Sequence, residues 1–126
     1  MKIQESAENY LETILILQQR IGEVRSIDVV NELSYSKPSV SIAMKNLREN
    51  GYISVDADGF ITLEEPGLEI ARRIYDRHRK LTAFFVALGV DPDVAAKDAC
   101  KVEHDLSEET YSKMIAFAEK AEKENS

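Results

Sequence analysis

Cysteine is nearly absent from this chain: among 126 residues there is one, Cys100, and there is no tryptophan. A lone thiol excludes an internal disulfide framework, so the expected compartment is a reducing cytoplasm. Long apolar runs are missing too. Nothing approaches the ~20 consecutive apolar residues that span a bilayer, which excludes a helical membrane anchor. The opening MKIQESAENY lacks the apolar stretch of a secretory signal. Basic excess is also lacking, since the formal net charge is −7. That argues against a general nucleic-acid binder, whose charge is usually positive. No internal repeat or low-complexity linker appears, and only the tail from Glu119 is strongly charge-biased, which predicts a frayed end.

What is present is a core. A hydrophobic share of 44% beside 31% charged residues suits a globular chain of this length, as one domain or two small units. Ser6 is expected to cap a first helix whose apolar stripe is Tyr10, Leu11, Ile14, Leu15 and Leu17, ended by Gly22. Asn9 and Glu12 sit one turn apart near its start. The stretch RSIDVVNELSYSKPSVSIAMKNLRENGYI then reads as two short helices around a tight turn. In the first, Ser26 caps and Ile27, Val30 and Leu33 point inward. In the second, Ser36 caps, Pro38 occupies the first turn, and Val40, Ala43, Met44 and Leu47 are buried. That pairing is a helix-turn-helix signature.

YISVDADGFITL reads as a β-hairpin turning at Asp58-Gly59, and a hairpin after a helix-turn-helix makes a winged helix. From Pro66 a long helix runs to about Leu88, with His78 on its apolar stripe. Asp91-Pro92 starts another helix expected to reach Leu106, and Ser107 caps the last, with Leu106 and Tyr111 as a hydrophobic staple. The expected fold is mainly α. A winged helix-turn-helix over residues 1–65 precedes an α-helical domain over residues 66–126.

Two groups of residues carry chemistry. In ACKVEHDLS, spacings of three and four place Cys100, Glu103 and His104 on one helix face. A thiolate, a carboxylate and an imidazole there are half a coordination sphere for a transition metal. Taken alone, the plainer alternative has Cys100 as a small core residue and the other two as surface groups. His78 is an inward candidate too, though a lone histidine on an apolar stripe is more often a satisfied core residue than a ligand, and Asn9 and Glu12 read as ordinary first-turn residues. The second group is the outward face of the later short helix: Ser39, Ile42, Lys45 and Asn46. Between Ser36 and Asn50 three cations face one carboxylate, a local charge of +2 in an acidic chain. An exposed Ile42 among polar neighbours has no use in solvent, but it can touch thymine methyl groups in a major groove.

Several stretches together (AENYLETI, SYSKPSVSIAMKNLRENGYI, DRHRKLTAFF and ACKVEHDLS) resemble the diphtheria-toxin-repressor family of metal-dependent transcriptional regulators. The shorter, manganese-sensing branch is nearest in length, and Cys-x-x-Glu-His is the most specific element. The resemblance implies a homodimer on double-stranded operator DNA, with metal at the junction of its two halves, repressing metal-uptake genes. Cys100, Glu103 and His104 match the principal metal site, with Asn9 where the family supplies a ligand from the first helix. Glu12 and His78 match positions used for a second metal, and Ser36, Pro38 and Ser39 match DNA contacts. Lys37, Ser41, Ile42 and Lys45 of the same helix complete the expected DNA face. Departures accompany the match. Asn9 replaces the Met of iron sensors and the Asp of manganese sensors, Cys100 agrees with the iron type, and Thr82 and Ala96 replace two ancillary ligands of the long members. A thiolate suits Fe(II) better than hard Mn(II), so the expected cofactor is a divalent transition metal, Fe(II) favoured and Mn(II) the alternative. The rivals are a winged-helix regulator answering to a small molecule or to redox, a DNA-independent interaction module, and a metalloenzyme. No legible base, oxyanion hole or cleft supports an enzyme.

Overall fold

Six helices and one short hairpin follow from these local signals in the computed structural model, which describes residues 5–124. The chain divides into two compact units, Met1–Ile74 and Tyr75–Ser126, and the division falls within one long helix.

In the first unit, α1 (Glu5–Ile21) presents Leu11, Ile14, Leu15 and Leu17 to a core shared with α2 (Ser26–Leu33) and α3 (Lys37–Glu49). Removing each such Leu or Ile from water contributes roughly 1.5–3 kcal/mol, so this stripe is what holds α1 in place. Gly22, at φ 84°, takes the left-handed conformation that ends α1 and that glycine adopts without a Cβ clash. Ser6 lies inside α1 and so does not cap it as expected.

Two expectations for α2 are corrected. Its N-cap is Arg25 rather than Ser26, because the Asp28 carboxylate accepts the Arg25 backbone N–H at 2.8 Å and closes the first turn there. Its buried residue is Val29, while Ile27 is 43% exposed. Val24, just before the helix, is pinned as a bridge partner of Ile61 (Ile61 N–H to Val24 carbonyl, 2.7 Å), and this sets the rotation of the short helix that follows. Ser34 then turns the chain at φ 58° and donates its N–H to Val30. α3 starts as its sequence indicates. Ser36 caps it by accepting the Ser39 N–H at 3.2 Å, and Val40, Met44 and Leu47 are its buried side.

Strands β1 (Ile53–Val55) and β2 (Ile61–Leu63) pair antiparallel with Ser54 opposite Thr62. Asp56 organises the wing tip: its Oδ1 accepts the N–H groups of Asp58 and Phe60, both at 2.9 Å. Arg25 lies over the Phe60 ring, 4.3 Å from its centroid, and so ties the start of α2 to the wing.

The helix α4 (Glu65–Ala87) begins against the entry of this hairpin. A Cβ added at Gly67 would stand 2.1 Å from the Tyr52 carbonyl oxygen, an atom fixed by accepting the Glu64 N–H at 3.0 Å. Backbone cannot yield as a flexible side chain would. Gly67→Ala is therefore expected to destabilise the chain by about 1–3 kcal/mol, despite alanine's better helix propensity. Denaturant unfolding of the pair checks this, and an unchanged or raised midpoint would refute the close approach.

In the second unit, the latter part of α4 meets α5 (Pro92–Val102) and α6 (Glu108–Glu124). Leu81, Ala99 and Tyr111 form its buried centre, flanked by Phe85, Val102, Leu106, Met114 and Ile115. Asp91 caps α5 through the Asp93 and Val94 amides, and Ser107 caps α6 through the Thr110 amide at 3.1 Å. α5 stops at Val102, four residues before the expected end. The amides of Asp105 and Leu106 both turn back to the Val102 carbonyl, and a tight turn replaces the last helical turn. The charged tail is helical through Glu124 rather than frayed. Glu119 stands four residues before Lys123, the favourable order for a helical ion pair.

Candidate metal centre and DNA-facing helix

The turn after α5 places Glu103 where no solvent reaches it, at 0% exposure. An isolated carboxylate in such a place would be costly, so it needs partners that complement its charge. It has two imidazoles. His78 Nδ1, from α4, lies 2.9 Å from Oε2, and His104 Nε2, on the adjacent residue, lies 3.4 Å from Oε1. These are the only two histidines in the chain, and both converge on one buried carboxylate. His104 is almost as enclosed, with a side chain 4% exposed, while His78 keeps 25%.

Imidazole nitrogen and carboxylate oxygen are both transition-metal donors. The donor set therefore fits a divalent ion, and a carboxylate already facing two rings has the charge such an ion needs. Cys100, one helical turn earlier on α5, is exposed. It is thus not the small core residue of the plainer alternative, and Glu103 and His104 are not surface groups. In the first unit, Glu12 is buried at 4% exposure and Asn9 half-buried, on α1.

One residue of the second unit escaped the sequence reading. Arg77 is 7% exposed; its Nη2 donates to the Leu106 carbonyl at 3.1 Å and its guanidinium stacks 4.5 Å from the Tyr111 ring centroid. Within RRIYDRHRK one arginine looks like the next, and only the face of α4 distinguishes them. The Tyr111 hydroxyl has its pKa raised, chiefly by burial and against the pull of nearby Lys80 and Arg77, so the ring under Arg77 stays neutral.

On α3 the sequence-derived outward face is the exposed one. Ser36, Lys37, Pro38, Ser39, Ser41, Ile42, Lys45 and Asn46 are all exposed, Ile42 at 63%. Ser36 and Ser39 are partly engaged with each other, hydroxyl to hydroxyl at 2.8 Å. Beside them, Tyr35 packs edge-on against Tyr10 of α1, centroids 5.9 Å apart, and fixes the turn that leads into α3. Among the described residues no helix is long and apolar enough to cross a membrane.

A winged helix-turn-helix followed by a helical unit with a buried Glu-His cluster defines a class, that of metal-responsive DNA-binding regulators. The chain belongs to the iron-dependent repressor family. The model of that family's N-terminal DNA binding domain matches residues 2–59, and that of its metal binding and dimerisation domain matches 64–125. The family is one of metal-dependent transcriptional repressors, which are not enzymes. An uncharacterized HTH-type transcriptional regulator of Methanocaldococcus jannaschii is 34% identical over 92% of this chain and 94% of its own. The transcriptional regulator MntR of Salmonella typhimurium is 32% identical over 91% and 73%. Among solved structures, a manganese-dependent transcriptional repressor in complex with manganese superposes with a TM-score of 0.80 at 27% identity, over 87% of this chain and 51% of that one. The chain spans about half the length of several solved structures it matches, among them IdeR of T. acidophilum, which shares the fold with a TM-score of 0.77 at 22% identity, over 92% of this chain and 54% of that one.

Proposed function

We propose that this chain is a metal-activated transcriptional repressor that binds operator DNA as a homodimer, in the cytoplasm, and controls metal-uptake genes. The observation that carries the metal reading is the convergence of both histidines on the buried Glu103 carboxylate. In this proposal Cys100, Glu103 and His104 are the principal ligands, and His78, Asn9 and Glu12 serve as further or second-ion ligands. A bound ion would supply positive charge beside the buried Glu103 carboxylate. Residues 1–65 are the DNA-binding half and 66–126 the metal-binding and dimerisation half. The face for a second copy is a groove lined by Phe84, Ala87, Leu88, Ile115 and Phe117, of which Leu88 and Phe117 are 65% and 67% exposed.

Metal and DNA are then linked equilibria: if the metal-bound form binds operator more tightly, operator tightens metal binding by the same factor. Fe(II) is the favoured ion, because a thiolate one turn before Glu103-His104 suits it better than Mn(II). A second reading, Mn(II), is favoured by the contacts around Glu103, which are oxygen and nitrogen, and by the relatives named MntR.

Anaerobic titration of the reduced protein with Co(II) separates the readings. Thiolate-to-cobalt charge-transfer absorption in the wild type, absent from Cys100→Ala, is the result expected of an Fe(II)-type centre. Saturable binding without that band would favour the Mn(II) type. DNA binding indifferent to a chelator, with no saturable Co(II) uptake, would overturn the metal reading and leave a winged-helix regulator of another signal.

A further inference from the structure

Neighbouring residues of α4 hold both ends of the turn that carries the Glu-His pair. His78 meets Glu103 at the start of that turn, 2.9 Å away. Arg77 meets Leu106 at its end, donating Nη2–H to the main-chain carbonyl at 3.1 Å. Leu106 directly precedes Ser107, the cap of α6, and Tyr111 in the next turn of α6 supplies the ring beneath the guanidinium. One buried cation thus fastens the segment from Leu106 to Tyr111 onto α4, beside the contact of His78 with Glu103.

Stability is a poor explanation for this arginine. At 7% exposure it is almost wholly removed from water, and its Nε is buried with no hydrogen-bond partner among the described residues. Neither of the two interactions described for it, a carbonyl dipole and a ring face, is an anion, and an apolar side chain of similar size in such a place is often neutral or stabilising. What an apolar side chain could not do is fix the Leu106 carbonyl, and with it the path of a non-helical turn. The turn's own hydrogen bonds, from the Asp105 and Leu106 amides to the Val102 carbonyl, tie it back to α5, whereas the Arg77 bond to Leu106 ties its far end to α4.

We infer that Arg77 is a positioning residue for the metal centre: it presets the 103–106 turn so that Glu103 and His104 are in place before an ion arrives. This rests on the metal-centre reading above. Arg77 is not itself a ligand and acts only through the main chain of the turn. Supporting groups of this kind change metal affinity by about 10- to 100-fold when removed, because unfixed ligands must be ordered at the moment of binding.

The test uses the full, reduced chain, titrated anaerobically with Co(II) as wild type, Arg77→Met and Arg77→Lys, with metal-free thermal unfolding recorded beside it. Arg77→Met fills the same volume without a donor. It is expected to raise the Kd for Co(II) by about 10- to 100-fold, while the absorption spectrum at saturation keeps its wild-type shape because every ligand remains. Arg77→Lys keeps a charge and a donor but not the planar fork, and should fall between the two. It also decides the matter if the methionine variant does not fold. Wild-type Kd values in the folded variants, with only the unfolding temperature lowered, would overturn the inference and make Arg77 structural. Failure of the wild type itself to bind Co(II) saturably would instead overturn the metal-centre reading, and this inference with it.

Discussion

Glu103→Gln is expected to abolish metal-dependent DNA binding while leaving the chain folded. The substitution keeps the shape of a side chain that is fully buried and replaces a carboxylate oxygen by an amide nitrogen. Both imidazoles lose an anionic neighbour, and any ion held there loses its charged oxygen donor. Changes to groups that merely support a ligand cost about 10- to 100-fold in affinity, so removing this donor should cost at least about 100-fold. Two measurements check the result together. At a free metal concentration of about 100 times its Kd, an ion that binds only the folded state stabilises it by about 2.7 kcal/mol. The wild type should show that gain as a raised unfolding temperature and Glu103→Gln should not. A metal-induced rise in the variant equal to that of the wild type would show that Glu103 is no ligand, whatever happens to DNA binding. Glu103→Ala is a poorer probe, since it also leaves a cavity beside two imidazoles.

Much of this arrangement was legible because the signals are local. Ser36 before Lys-Pro, Ser107 before Glu-Glu, and Asp91 before Pro92 each start a helix, since a side-chain oxygen next to unpaired amides acts within a few residues. Asp58-Gly59 likewise fixed the wing by its own backbone preferences. The errors arose where a distant residue decided. Val24 is anchored by Ile61, thirty-seven positions away in sequence, and this rotates α2 so that Val29 rather than Ile27 is covered. The pattern of three apolar residues in one short helix could not hold that information.

The candidate centre was legible in its residue types and not in its geometry. Spacing put Glu103 and His104 on a helix, but they occupy the turn after it, and the helix ends because two amides share the Val102 carbonyl. His78 on an apolar stripe had two readings, and only the 2.9 Å approach to Glu103, 25 residues later, distinguishes them. Arg77 was invisible for a related reason: a buried arginine and a solvated one have the same letter, and burial is set by Tyr111 and Leu106 from beyond its own helix.

Ile42→Glu is expected to eliminate specific DNA binding without touching the metal centre. Ile42 is 63% exposed on α3, so its replacement removes little buried surface and should change folding stability by no more than about 0.5 kcal/mol. On DNA the effect is large for two reasons that add. Apolar packing against a base edge disappears, a matter of about 1–3 kcal/mol, and a carboxylate is brought toward phosphates. Together these predict a loss of about 100-fold or more on duplexes selected by the wild-type protein from a random library in the presence of metal. Fluorescence anisotropy on such duplexes measures it, with Co(II) titration as the control that must stay at the wild-type value. Lys45→Ala supplies the contrast. If its ammonium pairs with a phosphate, removing it should weaken binding on all sequences alike and lower the salt dependence by about one unit of slope. Sequence preference abolished in Ile42→Glu but kept in Lys45→Ala would assign base reading to the isoleucine and positioning to the lysine. Wild-type affinity in Ile42→Glu would instead move the DNA-binding surface off this face of α3 altogether.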